Sequence, residues 1–320
     1  MTLPKIIAIV GPTASGKTDV GIAVARAVDG EVIAADSRTI YRGMDIGTAK
    51  PMGKRDWFPL LSKEGSGVVR GLGEEAALMV EGIPHWGIDM IDPDETFTAA
   101  EFQTYADKKI GEILKRGKMP ILVGGTGLYI SAVIDRPTFT DVPPNENLRA
   151  ELATLSDNDL LEEIAAKDPD TAAVIDEKNR RRLERAVEIL RESGKTLAEA
   201  RAKAPAKYEA LQIGIEVDRE KLYERIDSRV DSMVAKGLVD EVRALRGKYG
   251  SDANAMTGIG YRQICEFLDG KMPLKDAIAR IKYDSHHYAK RQETWFKRDE
   301  RITWVKSAKE AVEVATKNEA

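Results

Sequence analysis

Short apolar runs alternate with helical periodicity in the first part of the chain. Residues 6–10 form an apolar run, residues 18–28 repeat apolar positions with helical spacing, and residues 31–35 are apolar again. A second helical pattern, 99–116, leads into the apolar residues 121–123 and a glycine-rich turn. This order of signals predicts βαβ units and therefore an α/β fold with a parallel sheet.

The middle of the chain has a different pattern. Proline and polar residues are frequent at 137–144, and strand signals then stop until 211–217, which alternates like a last strand. Residues 148–166 and 179–192 show helical spacing, which predicts a helical insertion. Further helical patterns follow the last strand at 219–236, 239–245, 261–268 and 274–298.

A glycine-rich motif lies between the first apolar run and the first helical pattern. It fits the spacing Gly-x4-Gly-Lys-Ser/Thr and consists of Gly11, Pro12, Thr13, Ala14, Ser15, Gly16, Lys17 and Thr18. Glycines let backbone N–H groups turn toward phosphate oxygens, and the helix start adds its positive dipole end. The lysine supplies a point charge, and the threonine hydroxyl can hold Mg²⁺ or a phosphate oxygen. The motif predicts a grip on a diphosphate or a longer phosphate chain.

Together these patterns predict a P-loop NTPase-like core with helices at its C-terminal part. We predict core boundaries of 1–136 and 201–320, with a helical insertion domain at 137–200.

Composition narrows the classes of protein. The 320 residues carry a formal net charge of -4, and no apolar run approaches the ~20 residues that a membrane span needs. No export signal is recognisable, the one cysteine, Cys265, cannot form an internal disulfide, and no Cys or His cluster has metal spacing. We therefore expect a cytoplasmic protein without a membrane partner, and a monomer. Basic runs at 178–185 and 280–301 nevertheless offer sites for an anionic partner.

The phosphate loop alone suggests ATP and does not name a reaction. We find no apolar strand that ends in an Asp-Glu pair, which an ATP-hydrolysing motor would carry. The second predicted strand ends instead in Asp36-Ser37, and an acid at the carboxyl end of such a strand points into the ligand crevice of an α/β sheet.

A series of motifs in a fixed order resembles the tRNA dimethylallyltransferases, also called isopentenyl-pyrophosphate:tRNA transferases. The resemblance covers nearly the whole chain. Its motifs are the phosphate loop, Asp36-Ser37, the run 45–51, Pro84-His85 with Ile88-Asp89 and Asp92-Pro93, the run 123–129, Arg182 with Arg185-Ala186 and Glu188, the run 258–262, and Ala289-Lys290-Arg291-Gln292 with Thr294-Trp295.

The resemblance implies transfer of a dimethylallyl group from its diphosphate to the exocyclic N6 of the adenosine 3′ of the tRNA anticodon. It implies a catalytic set of Lys17, Thr18, Asp36 and Arg229, with Mg²⁺ as the cofactor. Asp36 is the candidate base for the amine, and Arg229 with the loop would stabilise the departing diphosphate. The target base must be turned out of the anticodon loop to reach such a site.

The resemblance also implies residues that contact tRNA. They are Asp36, Ser37, Arg38, Thr39, Thr126, Arg149, Arg181, Arg182, Leu183, Glu184, Arg185, Gly258, Ile259, Gly260, Tyr261 and Arg262. For Thr126 a loop-capping role is the alternative, and for the arginine helix the alternative is an ordinary solvated face. The run 257–262 and the basic aromatic stretch 288–298 could stack bases and hold the anticodon stem. Core packing is expected for at least one of Trp295 and Phe296.

Two segments depart from the family pattern. Many members have glutamine near position 39, where this chain has Arg38-Thr39, and the segment 52–82 is longer than usual and suggests a mobile surface excursion. His85, His286 and His287 receive structural or surface roles, because the implied chemistry needs no imidazole.

Three alternatives stay open from the sequence. A small-molecule kinase shares the phosphate loop and the second-strand acid, but it does not need the arginine-rich insertion. A tRNA-binding protein with a nucleotide-sensing loop would not need Lys17, Thr18 and Asp36 together. The adenylate prenyltransferases act on a free nucleotide, and they are shorter and lack the insertion.

Overall fold

The computed structural model describes residues 2–58, 75–139, 142, 145–200 and 204–318. The chain divides into two units, Met1–Ile134 with Lys207–Ala320, called the core unit below, and Asp135–Ala206, called the insertion unit. The predicted insertion, 137–200, falls inside the second unit.

A single sheet of eight strands organises the described residues of the core unit. The strands are β1 (Lys5–Val10), β2 (Gly30–Ala34), β3 (Lys54–Phe58), β4 (Glu75–Val80), β5 (Ile83–Trp86), β6 (Met119–Gly124), β7 (Glu209–Ile215) and β8 (Ile302–Val305). Their order is β3-β4-β5-β2-β6-β1-β7-β8, and every pair from β5 to β8 is parallel. The α/β class with a parallel sheet is confirmed.

Helices cover the sheet and continue beyond it. In the core unit they are α1 (Lys17–Ala27), α2 (Ala99–Lys115), α3 (Gly127–Ile134), α9 (Arg219–Ala235), α10 (Leu238–Tyr249), α11 (Tyr261–Leu268), α12 (Leu274–Phe296) and α13 (Ala308–Lys317). A 3-10 turn at Asn254–Thr257 precedes α11. Among the described residues, no helix combines the length and the apolar character that crossing a bilayer would require.

The apolar run of β1 explains its central place. Ile6 to Val10 are almost completely buried, as expected for a strand with neighbours on both edges and layers on both faces. Val20 and Val24 of α1 pack on this strand and on Val123 of β6. This packing fixes the start of α1 at the carboxyl ends of β1 and β6, where the phosphate loop lies.

The sequence prediction was incomplete at the edges of the sheet. The strand at 211–217 was predicted to be the last, but β8 and α13 follow it, and β8 pairs with β7. The segment 52–82 was predicted to be a surface excursion, but its two ends form β3 and β4, which pair with each other and with β5 in antiparallel orientation. Residues 59–74, the middle of that segment, lie outside the described residues.

The insertion unit is helical, as predicted. Its helices are α4 (Glu146–Leu152), α5 (Asp157–Lys167), α6 (Pro169–Ala172), α7 (Arg180–Ser193) and α8 (Leu197–Ala200). The pattern at 148–166 is two helices and not one, because Ser156 starts α5 with a reciprocal side-chain cap to Asp159. Leu152, Leu160, Ile164 and Leu183 form its small core with the other buried residues of α7.

Candidate active site

The predicted phosphate loop joins β1 to α1. It runs from Gly11 to Gly16, and α1 begins at Lys17. Gly16 has a φ angle of 89°, a left-handed conformation that suits glycine and turns the chain into the helix. The first N–H groups of α1 have no acceptor within the helix, so they can bind phosphate oxygens.

A cavity of about 560 Å³, called the donor cavity below, opens on this loop. Of the predicted loop residues, those that line it are Thr13, Ala14, Gly16, Lys17 and Thr18. Gly11, Pro12 and Ser15 are buried behind the loop surface. The lining also contains apolar side chains, among them Val32 and Ala34 of β2 and Val123 of β6. The cavity therefore combines polar groups that can bind an anion with apolar groups that can contact a hydrocarbon.

Lys17 is held at the mouth of the loop. Its Nζ donates a hydrogen bond to the Pro12 carbonyl oxygen at 2.5 Å. Burial lowers the pKa of Lys17 to about 8, the carboxylate of Asp36 opposes this shift, and the guanidinium of Arg229 adds to it. Two cations and one carboxylate therefore share this small space.

Arg229 reaches the loop from α9, more than 200 residues later in the chain. Its Nη2 donates to the Thr48 carbonyl oxygen at 2.9 Å, and its Nη1 lies 3.5 Å from the Thr13 hydroxyl. Burial lowers the pKa of Arg229, and Asp36 opposes that shift. The structure thus brings together all four residues that the sequence predicted as catalytic.

Asp36 follows β2 and lies beside the end of β6. Its Oδ1 accepts a hydrogen bond from the Arg38 amide at 2.8 Å, which fixes the carboxylate. The Thr126 hydroxyl accepts from the Ser37 amide at 3.0 Å and also hydrogen-bonds to Tyr288. Burial, followed by the charge of Asp36, raises the pKa of Tyr288 to about 12. Thr126 therefore ties together the loops after two strands, in agreement with its loop-capping alternative.

A second cavity of about 560 Å³, called the acceptor cavity below, opens on the other side of Asp36. Ser37 and Arg38 line it together with the predicted run at 258–262. The residues shared by both cavities are Thr13, Asp36, Thr48, Arg229 and Tyr288. Asp36 and Arg229 therefore stand where the two cavities meet.

Gln292 of α12 is a site residue to which the sequence assigned no role. Its Oε1 accepts from the Thr13 amide at 2.8 Å, and its Nε2 donates to the Gly125 carbonyl oxygen at 2.8 Å. It is buried and joins the phosphate loop to the loop after β6. The signal for Gln292 in the sequence was its place in the motif at 289–292.

The tRNA predictions in the run 258–262 are only partly supported. Gly258 and Gly260 line the acceptor cavity, and Arg262 pairs with Asp284 at 3.0 Å. Tyr261 is 1% exposed, and its hydroxyl donates to Glu241, so its ring has no surface to offer a base. A stacking role for this tyrosine is wrong, because the core of the C-terminal helices encloses it. Ile259 likewise packs partly against that core.

In the pair Arg38-Thr39, where the family pattern was uncertain, Arg38 lines the acceptor cavity and Thr39 lines the donor cavity. The Arg38 guanidinium lies 3.5 Å from both the Asn254 carbonyl oxygen and the Thr257 hydroxyl. Thr39 is buried, and its hydroxyl lies 3.5 Å from the Asp36 carbonyl oxygen. Arg38 is therefore the better placed of the two to meet a nucleotide.

The predicted tRNA residues of the insertion unit have different surroundings. Arg149 Nε binds Glu188 at 3.0 Å, Arg185 binds the same carboxylate, and Glu184 accepts from Arg180 at 2.7 Å. Burial tends to raise the pKa of Glu188, but the Asn145 amide and the two arginines outweigh it and lower that pKa. Arg181 and Arg182 are exposed on α7.

The structure corrects the prediction for Leu183. This residue was predicted to contact tRNA, but its side chain is completely buried in the core of the insertion unit. Helical periodicity explains the error, because Leu183 follows two exposed arginines and faces the opposite side of α7.

One of the three histidines lies closer to the candidate catalytic residues than the sequence predicted. His85 lines the donor cavity, its Nδ1 donates to the Ile83 carbonyl oxygen at 2.9 Å, and burial lowers its pKa. His286 stacks on Tyr223 and His287 contacts Tyr283, which agrees with structural or surface roles.

The two aromatic residues at the end of α12 differ as expected. Phe296 is buried, whereas Trp295 is partly exposed and lies against Gly127. The prediction that at least one of them belongs to the core is confirmed.

Comparison with known proteins identifies the family to which this chain belongs. A model of the IPP transferase family matches residues 74–299, and a model described as isopentenyl transferase matches residues 4–55. A tRNA dimethylallyltransferase of Roseiflexus sp. (strain RS-1) is 42% identical over 298 residues, which cover 92% of this chain and 90% of the relative.

Solved structures show the same similarity. The full-length tRNA isopentenylpyrophosphate transferase of Bacillus halodurans has a TM-score of 0.68 and 37% identity, covering 98% of this chain and 95% of its own. A eukaryotic dimethylallyltransferase acting on tRNA has a TM-score of 0.74 and 26% identity, covering 99% of this chain and 77% of its own. Since the family model spans most of the sequence and such relatives match nearly all of it, the chain belongs to the IPP transferase family of tRNA dimethylallyltransferases.

Proposed function

We propose that this protein transfers a dimethylallyl group from dimethylallyl diphosphate to N6 of the adenosine next to the tRNA anticodon. The observation that carries the proposal is the meeting of two cavities at Asp36 and Arg229. One cavity combines a phosphate loop with apolar side chains, as a prenyl diphosphate requires. The other is lined by the loops at 36–38 and 257–260 and by α9 and α12, and it can receive a nucleotide turned out of its stack.

The donor would lie with its diphosphate on the phosphate loop and its hydrocarbon against Val32, Ala34 and Val123. Backbone N–H groups, Lys17 and Arg229 would then surround the oxygens that gain charge as the allylic C–O bond breaks. Because these groups are already in place and partly buried, they stabilise the departing diphosphate without reorganising at the moment of reaction.

The acceptor would enter from the second cavity, so that its N6 faces the Asp36 carboxylate. The adenine amine is a poor nucleophile, since its lone pair is delocalised into the ring. A new N6–C1 bond forms as the C1–O bond breaks, the N6 proton passes to Asp36, and the bonding electrons leave with the diphosphate. The hydrogen bond from the Arg38 amide holds the carboxylate in a fixed orientation for this transfer.

Mg²⁺ is the proposed cofactor, and the residues present suit it. Thr18 and the carboxylates of Asp19 and Asp36 line the donor cavity, while the described residues contain no group of three His, Cys, Asp or Glu side chains that could hold a metal alone. This oxygen-donor set agrees with the preference of Mg²⁺ for one or two protein ligands completed by phosphate oxygens and water. When bound, the ion would offset charge on the diphosphate.

The exposed residues Arg181 and Arg182 are the proposed tRNA contacts of the insertion unit. We further propose a cytoplasmic monomer. Light scattering of the purified protein tests the monomer, and fractionation of the cell tests the compartment.

The kinase alternative is not favoured, because the relatives that match nearly the full length are named for prenyl transfer to tRNA. One assay separates the two. The protein is incubated with radiolabelled dimethylallyl diphosphate and unmodified tRNA, and parallel reactions contain free AMP or labelled ATP with small acceptors. We expect label in tRNA alone. Phosphoryl transfer from ATP without prenyl transfer to tRNA would refute the proposal.

A further inference from the structure

The turn at 45–48 forms part of both cavities, although it belongs to neither the phosphate loop nor the end of β2. Thr48 lines both cavities, and Gly47 lines the acceptor cavity. The Thr48 carbonyl oxygen accepts the hydrogen bond from Arg229 Nη2 at 2.9 Å. The position of this turn therefore determines where the guanidinium lies.

One carboxylate on a different element holds the turn. Glu241 of α10 accepts hydrogen bonds from three consecutive amides, those of Asp45 at 2.9 Å, Ile46 at 2.7 Å and Gly47 at 3.0 Å. Its Oε1 also accepts from the Tyr261 hydroxyl at 2.7 Å. Each carboxylate oxygen thus takes two donors, an arrangement that a carboxylate satisfies and a neutral amide does not.

The ring of Tyr261 packs against the same turn at Gly47. A Cβ atom built on Gly47 would lie only 2.5 to 2.6 Å from atoms of this ring, so glycine is the residue that fits there. Burial and the charge of Glu241 raise the pKa of Tyr261, which keeps its hydroxyl protonated as a donor. The motif at 45–51 and the motif at 258–262 therefore meet at one carboxylate.

We propose that Glu241 is a positioning residue for the diphosphate site: with Tyr261 it presets the turn at 45–48, and through the Thr48 carbonyl oxygen it sets the place of Arg229. Glu241 lines neither cavity, and it acts at a distance through the backbone of this turn. The expected change in KM rests on the proposed function. The role of Glu241 in positioning Arg229 is tested independently of that function by the binding of inorganic diphosphate.

The first test compares Glu241→Gln with Asp240→Asn. Both substitutions remove one negative charge from the first turn of α10, but Asp240 is exposed and pairs with Arg243 on its own helix. We expect Glu241→Gln to weaken binding of inorganic diphosphate about tenfold, as the loss of one charge-assisted interaction does. The KM for dimethylallyl diphosphate should rise with it, while Asp240→Asn should leave both values within about twofold of the wild type.

A double-mutant cycle separates positioning from general destabilisation. If Glu241 acts through Arg229, adding Glu241→Gln to Arg229→Ala should change diphosphate affinity by less than about twofold. Tyr261→Phe, which removes one of the four donors and keeps the ring under Gly47, should weaken affinity in the same direction by about threefold.

Two results would overturn the inference. One is unchanged diphosphate affinity in Glu241→Gln together with a lower melting temperature, which would make the contact purely structural. The other is a full tenfold loss that persists in the Arg229→Ala background. If the wild type binds diphosphate but transfers no prenyl group, the proposed function fails while these binding measurements still decide the role of Glu241.

Discussion

Two sets of arginine side chains, one in each unit of this protein, have different partners. In the insertion unit, Arg149 and Arg185 both bind the buried carboxylate of Glu188. In the core unit, the partly buried guanidinium of Arg229 has a backbone carbonyl as its close partner, and in the described residues no carboxylate forms an ion pair with it. A paired arginine stabilises its own fold, whereas a partly buried arginine without a carboxylate in contact is poised for an anionic ligand.

The largest effect is expected when Arg229 is removed. Arg229→Ala should lower kcat/KM for prenyl transfer by about 10²- to 10³-fold, since it deletes a preorganised charge at the departing diphosphate. Steady-state kinetics with varied dimethylallyl diphosphate measures the loss. Arg185→Ala is the matched control and should leave the donor KM unchanged, because its partner is Glu188. Equal losses of donor affinity in both variants would contradict the distinction.

Glu188→Gln tests the other side of the comparison. It keeps the shape of the side chain but removes the charge that two arginines share, so we expect the insertion unit to lose about 2 kcal/mol of stability. Chemical denaturation followed by circular dichroism measures the change, and Glu184→Gln, at a more exposed pair, should cost less than about 1 kcal/mol. An unchanged midpoint for Glu188→Gln would show that this buried network adds nothing to the fold.

The pH dependence of donor binding tests whether the charge of Lys17 holds the diphosphate. Its pKa is lowered to about 8, so the charged form predominates below that pH and is lost as the pH rises. We expect the KM for dimethylallyl diphosphate to rise several-fold between about pH 7.5 and 9.5, and bound diphosphate should shift this transition upward. Lys17→Arg should give a flatter profile, because a guanidinium stays charged. The same steep profile in Lys17→Arg would assign the titration to another group.

The smallest expected effect concerns the exposed arginines of α7. Replacing Arg181 and Arg182 by alanine should weaken tRNA binding several-fold and reduce the salt dependence by about 0.7 to 0.9 per lost phosphate contact. Filter binding at several salt concentrations measures both, and affinity for diphosphate should not change. Unchanged tRNA affinity would indicate that these residues form an ordinary solvated helix face and do not contact tRNA.

Local sequence signals predicted the part of the site that is built from consecutive residues. The phosphate loop, α1 and Asp36 at the end of β2 were predicted because apolar strand runs, glycine positions and helical spacing are properties of short segments. The short strands β3, β4, β5 and β8 toward the two edges of the sheet were not predicted, since four to six residues with polar neighbours give a weak pattern.

The rest of the site depends on contacts between distant parts of the chain. Gln292 reaches the phosphate loop across 279 residues, and Glu241 reaches Gly47 across 194. The burial of Tyr261 also depends on the missing side chain at Gly47, which no local pattern reveals. Such residues are recognisable in the sequence only as members of motifs, and the structure supplies their physical roles.

In the proposed reaction Asp36, where the two cavities meet, takes the proton from the acceptor amine. The most direct measurement is a single-turnover transfer of label from dimethylallyl diphosphate to tRNA by Asp36→Asn, with donor affinity measured on the same preparation. We expect the rate to fall about 10²- to 10⁴-fold while donor affinity stays within about threefold of the wild type. A single-turnover rate close to that of the wild type would contradict the account.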